Sequence, residues 1–406
     1  MTVQTRPALS VTQVLLCGAA IVTLSMGIRH GFGLWLGPIT TDRGWTRETF
    51  AFAIAVQNLA WGAAGPLAGM LADRWGAWRV LLIGSALYAA GLALMAASTT
   101  GSGFIGSAGL VIGLAQSGTT YAVIYGVIGR SVSAQRRSWA MGVAAAAGSF
   151  GQFLMVPVES WLIAQWGWQN ALFVLACAAL AIAPLAFGLR EPPDTVAGVG
   201  PAQSVGHAVR EAFGHRGFQL LTAGYFVCGF QVVFIGVHMP AYLKDHGMAP
   251  EVATVALALI GLFNVFGTYG VGVLGQHIAR RYILAAIYTL RSLAIAVFLA
   301  LPITPMGVYI FSATMGLLWL STVPPTNAIV AQVFGVRYLS MLSGFVFFSH
   351  QLGSFLGVWM GGRLYDLTGS YTVVWWLAIA LGIFAALVSL PVRETAVRRE
   401  IVAQAA

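Results

Sequence analysis

The chain has 406 residues, of which 58% are hydrophobic and only 8% charged. A water-soluble domain carries roughly 25% charged residues, so this composition excludes one and calls for helices that cross a membrane. The net charge of +9 is spread singly and in pairs between apolar runs, which excludes a basic nucleic-acid-binding domain and leaves the arginines as signals of topology.

Apolar runs long enough to cross about 30 Å of hydrocarbon predict helices over 12–38, 48–72, 79–98, 104–129, 138–165 and 168–189. Six more follow, over 217–243, 251–275, 282–301, 305–331, 338–364 and 371–391. The expected fold is all-α, with twelve transmembrane helices in two six-helix bundles, residues 1–190 and 217–406. The long polar connection over 191–216 opens on Pro192-Pro193 and reads as a linker. Within it Val205, Val209, Ala212 and Phe213 recur at helical spacing opposite Arg210 and Glu211, which suits either a helix lying in the membrane interface or a solvated connection. Arg6 precedes a first span too long for a signal-peptide core, so that helix is expected to remain in the mature chain.

Laying the loops alternately on two sides gathers Arg6, Arg74, Arg79, Arg130, Arg136, Arg137, Arg190, Arg210, Arg216, Arg280, Arg281, Arg337, Arg393, Arg398 and Arg399 on one side. The other receives Arg43, Arg47, Lys244 and Arg363. The bias places both termini and the linker in the cytoplasm, and the chain in the inner membrane. The halves also repeat at an offset of 203 residues: Asp42-Arg43-Gly44 with Asp245-His246-Gly247, Gly69 with Gly272, Gly113 with Gly316, and Arg190-Glu191 with Arg393-Glu394. Duplicated bundles with a site between them are a transporter architecture.

The loop "GMLADRWGAWR", Gly69 to Arg79, resembles the signature loop of the major facilitator superfamily. The resemblance implies that Asp73, Arg74 and Arg79 form a cytoplasmic latch whose charges change partners as the bundles rock. The physics agrees, since an acid beside bases at a helix end can switch partners between two arrangements. Within that superfamily "DRGWTRETFAFAIA", "RRSWAMGVAAAAGSFGQ", "FVCGFQVVFIGVHMPAYLKDHG" and "GGRLYDLTGSY" resemble stretches of bacterial monocarboxylate and oxalate/formate carriers. There is one departure. Those carriers commonly place an arginine four residues after a helix 8 asparagine, and here Asn264 is followed by Thr268. Helix 11 likewise carries His350-Gln351 where the oxalate exchangers have a lysine.

In this fold helices 1, 4, 7 and 10 line the cavity, with 2, 5, 8 and 11 beside them. On helix 1 Arg29 and His30 lie about 25 Å from the cytoplasmic start at the usual helical rise. An arginine there costs from about 3 to above 10 kcal/mol. Gly27, Gly31 and Gly33 leave room around the pair, and the sequence offers no evident neutralising acid. Arg29 is therefore expected to clamp a substrate carboxylate, with His30 orienting it or sharing a proton; the competing reading is a brace bonded to carbonyls or to Glu159. Ser117, Tyr121 and Tyr125 of helix 4 fall at spacings of four, hence on one face, either as ligands for a small oxyanion or as packing between helices. His238 of helix 7 can donate, accept or titrate near neutral pH, or be satisfied in the core. Glu159 is the acid well inside a span, with a proton role set against an interfacial one. Arg291 of helix 9 is expected to be structural, bonding to carbonyls or to helix 8. Pro324-Pro325 breaks helix 10, and Ser321, Thr322 and Asn327 are placed to supply partners for the freed backbone.

Cys17, Cys177 and Cys228 lie in apolar spans without metal-ligand spacing and read as packing. No Walker loop, HExxH or paired catalytic carboxylates appear, so neither an enzyme nor a cofactor or metal is expected. The reading is a monomeric, proton- or gradient-driven carrier working by alternating access on a small organic anion, expected to be a monocarboxylate. Efflux of an apolar or cationic compound and a non-transporting membrane sensor stay open as alternatives.

Overall fold

The computed structural model describes residues 10–132, 134–190, 204–335 and 339–397. The elements among them are helical. The first crossing is made by α1 (Val11–His30) and α2 (Phe32–Arg43), the second by α3 (Arg47–Trp75) and the third by α4 (Ala77–Ala97). The fourth joins α5 (Gly101–Phe104), a π-helical stretch over Ile105–Val111, α6 (Ile112–Thr119) and α7 (Tyr121–Ser131). The long α8 (Ala134–Leu180) turns at Gly167, where φ is 73°, and so crosses twice, extended by α9 (Ile182–Phe187). After α10 (Val205–Gly214) come α11 (Arg216–Asp245), α12 (Pro250–Leu274) and α13 (Arg280–Ala300). The tenth crossing is split into α14 (Pro305–Leu318) and α15 (Val323–Phe334), and α16 (Leu339–Thr368) and α17 (Thr372–Ser389) complete the set. Eleven stretches among the described residues are long and apolar enough to cross a membrane, and the one over 140–187 contains the Gly167 turn.

Helix ends follow local chemistry. The hydroxyls of Ser10, Thr46, Thr100 and Thr304 accept from the backbone N–H groups of Gln13, Thr49, Gly103 and Gly307, each satisfying an otherwise orphaned donor. Gly44 and Gly247 follow α2 and α11 with φ of 66° and 75°, a left-handed conformation that glycine adopts without steric cost. These are the two copies of the repeated Asp-x-Gly.

The repeat recurs in the packing. A Cβ on Gly113 would lie 2.6 Å from the Gln57 carbonyl, and one on Gly316 would lie 2.8 Å from that of Ile260, each pair displaced by the same 203 residues. Ser25 meets Thr119 at 3.0 Å, and at the same offset Cys228 meets Thr322 at 3.3 Å. Close approach through small residues is how helices associate where lipid supplies no hydrophobic drive. Large side chains such as Leu16, Ile83, Leu94 and Leu387 are exposed, as a lipid-facing surface requires.

Three expectations about the spans need correction. The first helix breaks at Gly31 instead of running unbroken. The fourth breaks at Thr120, whose extended φ/ψ separates α6 from α7, so Ser117 does not share a face with the two tyrosines and instead bonds to the Leu114 carbonyl at 2.6 Å. The tenth opens over 319–322, before the prolines, which sit in the first turn of α15 where their missing N–H costs nothing. In the linker, α10 is helical over Val205–Gly214, burying Ala208 and Ala212 and exposing Arg210 and Phe213. Residues 191–203, Arg6, Arg337, Arg398 and Arg399 lie outside the described residues, as do the side chains of Asp73, Arg130, Arg136, Arg137 and Val205.

First-half and second-half helices pack in three pairs, α3 with α16, α2 with α11 and α8 with α12. Val233, Val237, Ala241 and Val358 enter the buried cluster of Phe32, Trp35 and Ile54, so apolar packing runs across the boundary between halves.

Candidate functional site

Arg29 occupies the last turn of α1 beside the Gly31 break. Its Nη2 donates to Asn58 Oδ1 at 2.6 Å, and Asn58 Nδ2 donates to the Ile54 carbonyl of its own helix at 2.7 Å, which fixes the amide with its oxygen toward the guanidinium. The guanidinium also lies 4.7 Å over the Trp61 ring, an attraction that strengthens when desolvated. Trp61 Nε1 in turn donates to Thr120 Oγ1 at 3.2 Å, at the break of the fourth crossing. No carboxylate pairs with Arg29 among the described residues. Arg29 is only half-buried in the middle of its span.

Trp61 connects this cation to the second half. Its ring meets Phe347 edge-on at 5.2 Å, Phe347 stacks on His350 at 5.8 Å, and His350 lies 5.0 Å from Tyr225. Gly62 admits Gln351, whose Cβ would lie 2.8 Å from a Cβ at that position. His350 Nδ1 lies 3.3 Å from Gln351 Oε1, while His350 Nε2 and Gln351 Nε2 are buried without a partner. Each of these nitrogens is a buried group that a polar ligand would complete. Tyr121 and Tyr125 lie half-buried on α7 with ring centroids 5.5 Å apart and planes tilted by 34°.

Arg29, Tyr121, Tyr125 and His350 thus gather around the middle of the molecule. The other sequence candidates go elsewhere. His30 Nδ1 bonds to the Met26 carbonyl at 2.7 Å. Asn264 is spent on the protein: its Nδ2 donates to Ser149 Oγ at 2.9 Å, and its Oδ1 accepts from Thr268 Oγ1 and from the Leu320 N–H. Asn327 donates back to the Val323 carbonyl at 3.1 Å. Arg291 is fully buried and donates to the Leu318 and Trp319 carbonyls, and Ser321 donates to the Leu317 carbonyl at 2.6 Å, so these two satisfy the broken tenth crossing, while Thr322 meets Cys228 and Asn327 stays within α15. Asn58, Trp61, Phe347 and Tyr225 were not singled out in the sequence. The Gln57-Asn58 pair inside an apolar run is the signal that would have found the first of them.

Charge gathers at one end of the interface. Arg47 forms a two-pronged pair with Asp245 at 2.6 and 2.7 Å and donates to Tyr371 Oη at 3.0 Å. Asp366 accepts from the backbone N–H groups of Arg47 and Glu48, and Arg363 and Trp359 both reach Glu48. His238 belongs here too. Its Nε2 donates to the Val358 carbonyl at 2.8 Å and its Nδ1 lies 3.1 Å from Tyr371 Oη, so both ring nitrogens are satisfied within the protein. Of the expected latch, Arg74 is exposed, and Arg79 donates to the Trp75 carbonyl at 2.6 Å beside the Trp78 ring.

Residues 15–358 match the family described as Major Facilitator Superfamily. The chain is 22% identical over 381 residues to the uncharacterized MFS-type transporter YcxA of Bacillus subtilis (strain 168), covering 85% of this chain and 86% of that one. It is 26% identical over 331 residues to monocarboxylate transporter 13 of Bos taurus, covering 79% and 74%. Among solved structures it is similar to a D-xylose-proton symporter, with a TM-score of 0.75 at 15% identity over 95% of this chain and 99% of that one. It is also similar to a bacterial homolog of the human lysosomal transporter Spinster, in inward-facing and unoccupied conformation, with a TM-score of 0.70 at 15% identity over 94% of each chain.

Proposed function

Because the chain belongs to the Major Facilitator Superfamily, we propose that it carries a small monocarboxylate with a proton across the cytoplasmic membrane by alternating access. It is a multi-pass transporter and not an enzyme. The observation that carries the substrate class is Arg29, a half-buried cation in mid-span whose neighbours are an amide oxygen and an indole face instead of an acid. A substrate carboxylate supplies the missing charge through the two-pronged geometry that guanidinium favours. Tyr121 and Tyr125 offer hydroxyls to the anion and ring faces to a short alkyl chain, and His350 with Gln351 offers unsatisfied nitrogens from the second half. In this reading Arg29 replaces, from the opposite half, the helix 8 arginine whose position Thr268 occupies. The names of relatives such as monocarboxylate transporter 13 support the same class, and the D-xylose-proton symporter supports proton coupling.

The two halves, residues 1–190 and 217–406, rock about this centre. The end joined by Arg47, Asp245 and Asp366 is the one poor in arginine, hence extracytoplasmic by the charge bias, and its closure makes this an inward-facing arrangement with both termini in the cytoplasm. Asp73, Arg74 and Arg79 then form the latch that closes the opposite end in the other arrangement.

The test is uptake of radiolabelled L-lactate into proteoliposomes. Accumulation driven by an alkaline interior supports the reading. Movement of a cationic dye with no response to lactate contradicts it and favours efflux.

A further inference from the structure

Glu159 is the fully buried acid among the described residues, and the site around Arg29 does not use it. It sits on α8 where that helix faces the first crossing. Trp35 Nε1 donates to its Oε2 at 2.9 Å, while Oε1 has no hydrogen-bond partner. No ion pair reaches it among the described residues. The carboxyl lies directly against Gly31, where any side chain would collide with both of its oxygens. Gly31 is the break between α1 and α2, and the two residues before it are Arg29 and His30.

An ionised carboxylate taken out of water costs several kcal/mol unless cations and donors compensate. A single indole N–H is a weak offset. The protonated acid suits this environment, because it carries no net charge and needs only a hydrogen bond or two. The titratable and charged groups on the elements packed around it are few. Arg29 and His30 stand on α1, where Arg29 is held by Asn58 and His30 by the Met26 carbonyl. From α4 comes Tyr88, whose hydroxyl donates to the Ser25 carbonyl at 3.1 Å, and from α7 comes Tyr121. From α12 comes Glu251, exposed at the helix start, while Thr254 bonds to Ser160 next to the carboxyl. Arg43 lies farther along α2, 5.1 Å over the Trp168 ring.

We propose that Glu159 is the proton-carrying group of the transport cycle, protonated in the conformation described here and discharged when the Gly31 junction moves and admits water to the carboxyl. The O–H bond of the acid then breaks, water takes the proton as hydronium, and a hydrated carboxylate remains against the Gly31 junction. Reprotonation from the other side of the membrane restores the acid and completes the transfer of one proton. The assignment rests on the reading of the chain as a proton-coupled carrier, and it gives that reading a residue. It also accounts for a glycine at the break, since the carboxyl occupies the space a side chain would need.

The experiment pairs infrared spectroscopy with transport, using Glu159→Gln in the full-length protein. Glutamine keeps the size and an acceptor for the Trp35 indole but holds no acid proton. At neutral pH the wild type is expected to show a protonated-carboxyl C=O band that the variant lacks; no difference between the two spectra overturns the proposal. In proteoliposomes the wild type is expected to concentrate L-lactate about tenfold per pH unit of gradient. The variant should fall to about equal concentrations inside and out while lactate–lactate exchange stays within about twofold. Undiminished pH-driven accumulation by the variant overturns the proposal. A wild type that shows the band and moves no lactate supports the protonated site and overturns only the substrate class. Should Glu159→Gln fail to fold by thermal melting, Trp35→Phe serves in its place: removing the one donor must move the band to higher frequency, and an unmoved band overturns the assignment.

Discussion

Two arginines stand inside the spans of this chain, and they are used in opposite ways. Arg291 on α13 is fully buried, with its donors committed to carbonyls that the broken tenth crossing exposes and to the Gln231 side chain. Arg29 on α1 is half-buried, with one bond to Asn58, one ring face and no acid among the described residues. Their intrinsic chemistry is the same, so the difference lies in what each guanidinium finds around it. A charge whose donors are spent inside the protein is part of the scaffold, whereas the partly unmatched one is the group to which the proposed function gives a ligand.

Breaking the scaffold side of this contrast should give the largest effect. Arg291→Leu leaves two carbonyls without their charge-assisted donor, at about 1.5 kcal/mol or more each, so detergent-solubilised protein should lose about 3 kcal/mol of stability, read as a lowered melting temperature. A melting curve like that of the wild type would mean that the tenth crossing needs no such brace. A smaller loss is expected from Gly316→Val, which forces a side chain against the Ile260 carbonyl. About 1 to 3 kcal/mol is typical of overpacking, and the equivalent Gly113→Val should match it within error if the two halves pack alike. Asp245→Asn weakens the two-pronged Arg47 pair without emptying the core. Both partners are partly exposed, at 18% and 27%, which limits the effect to about 1 kcal/mol. It should appear as a several-fold population shift toward opening at that end, measured by spin-label distances across it. The smallest effect belongs to Thr268→Val. The lost bond to Asn264 costs about 1 kcal/mol or less, with lactate affinity unchanged, because Asn264 and Thr268 form a bracket within the protein.

The fold was legible because hydrocarbon imposes it: span length follows from backbone satisfaction, and the 203-residue repeat returns in the packing of Gly113 and Gly316. The breaks were less so. Gly31 and Thr120 interrupt apolar runs that carry no proline at those points, and Pro324-Pro325 drew attention to the tenth crossing a few residues late. Of the site, Arg29 and His350 stood out as polar groups in apolar surroundings, and the structure brings them onto one aromatic path through Trp61 and Phe347. That path was hidden because a tryptophan and a phenylalanine are unremarked members of an apolar span until three dimensions pair them. Asn264 and His238 carried the same polar signal as Arg29. Only coordinates could show that their hydrogen bonds are already spent inside the protein.

The proposed function requires that Arg29 recognise an anion and not merely brace α1, and Arg29→Lys separates the two roles. Lysine keeps the charge and loses the planar fork. Substrate affinity and melting temperature are measured on the same purified variant, with L-lactate as the ligand. The account predicts a loss of about 1.5 to 3 kcal/mol in binding, a dissociation constant raised roughly tenfold or more, and a melting temperature close to that of the wild type. Wild-type affinity together with a lowered melting temperature would contradict it.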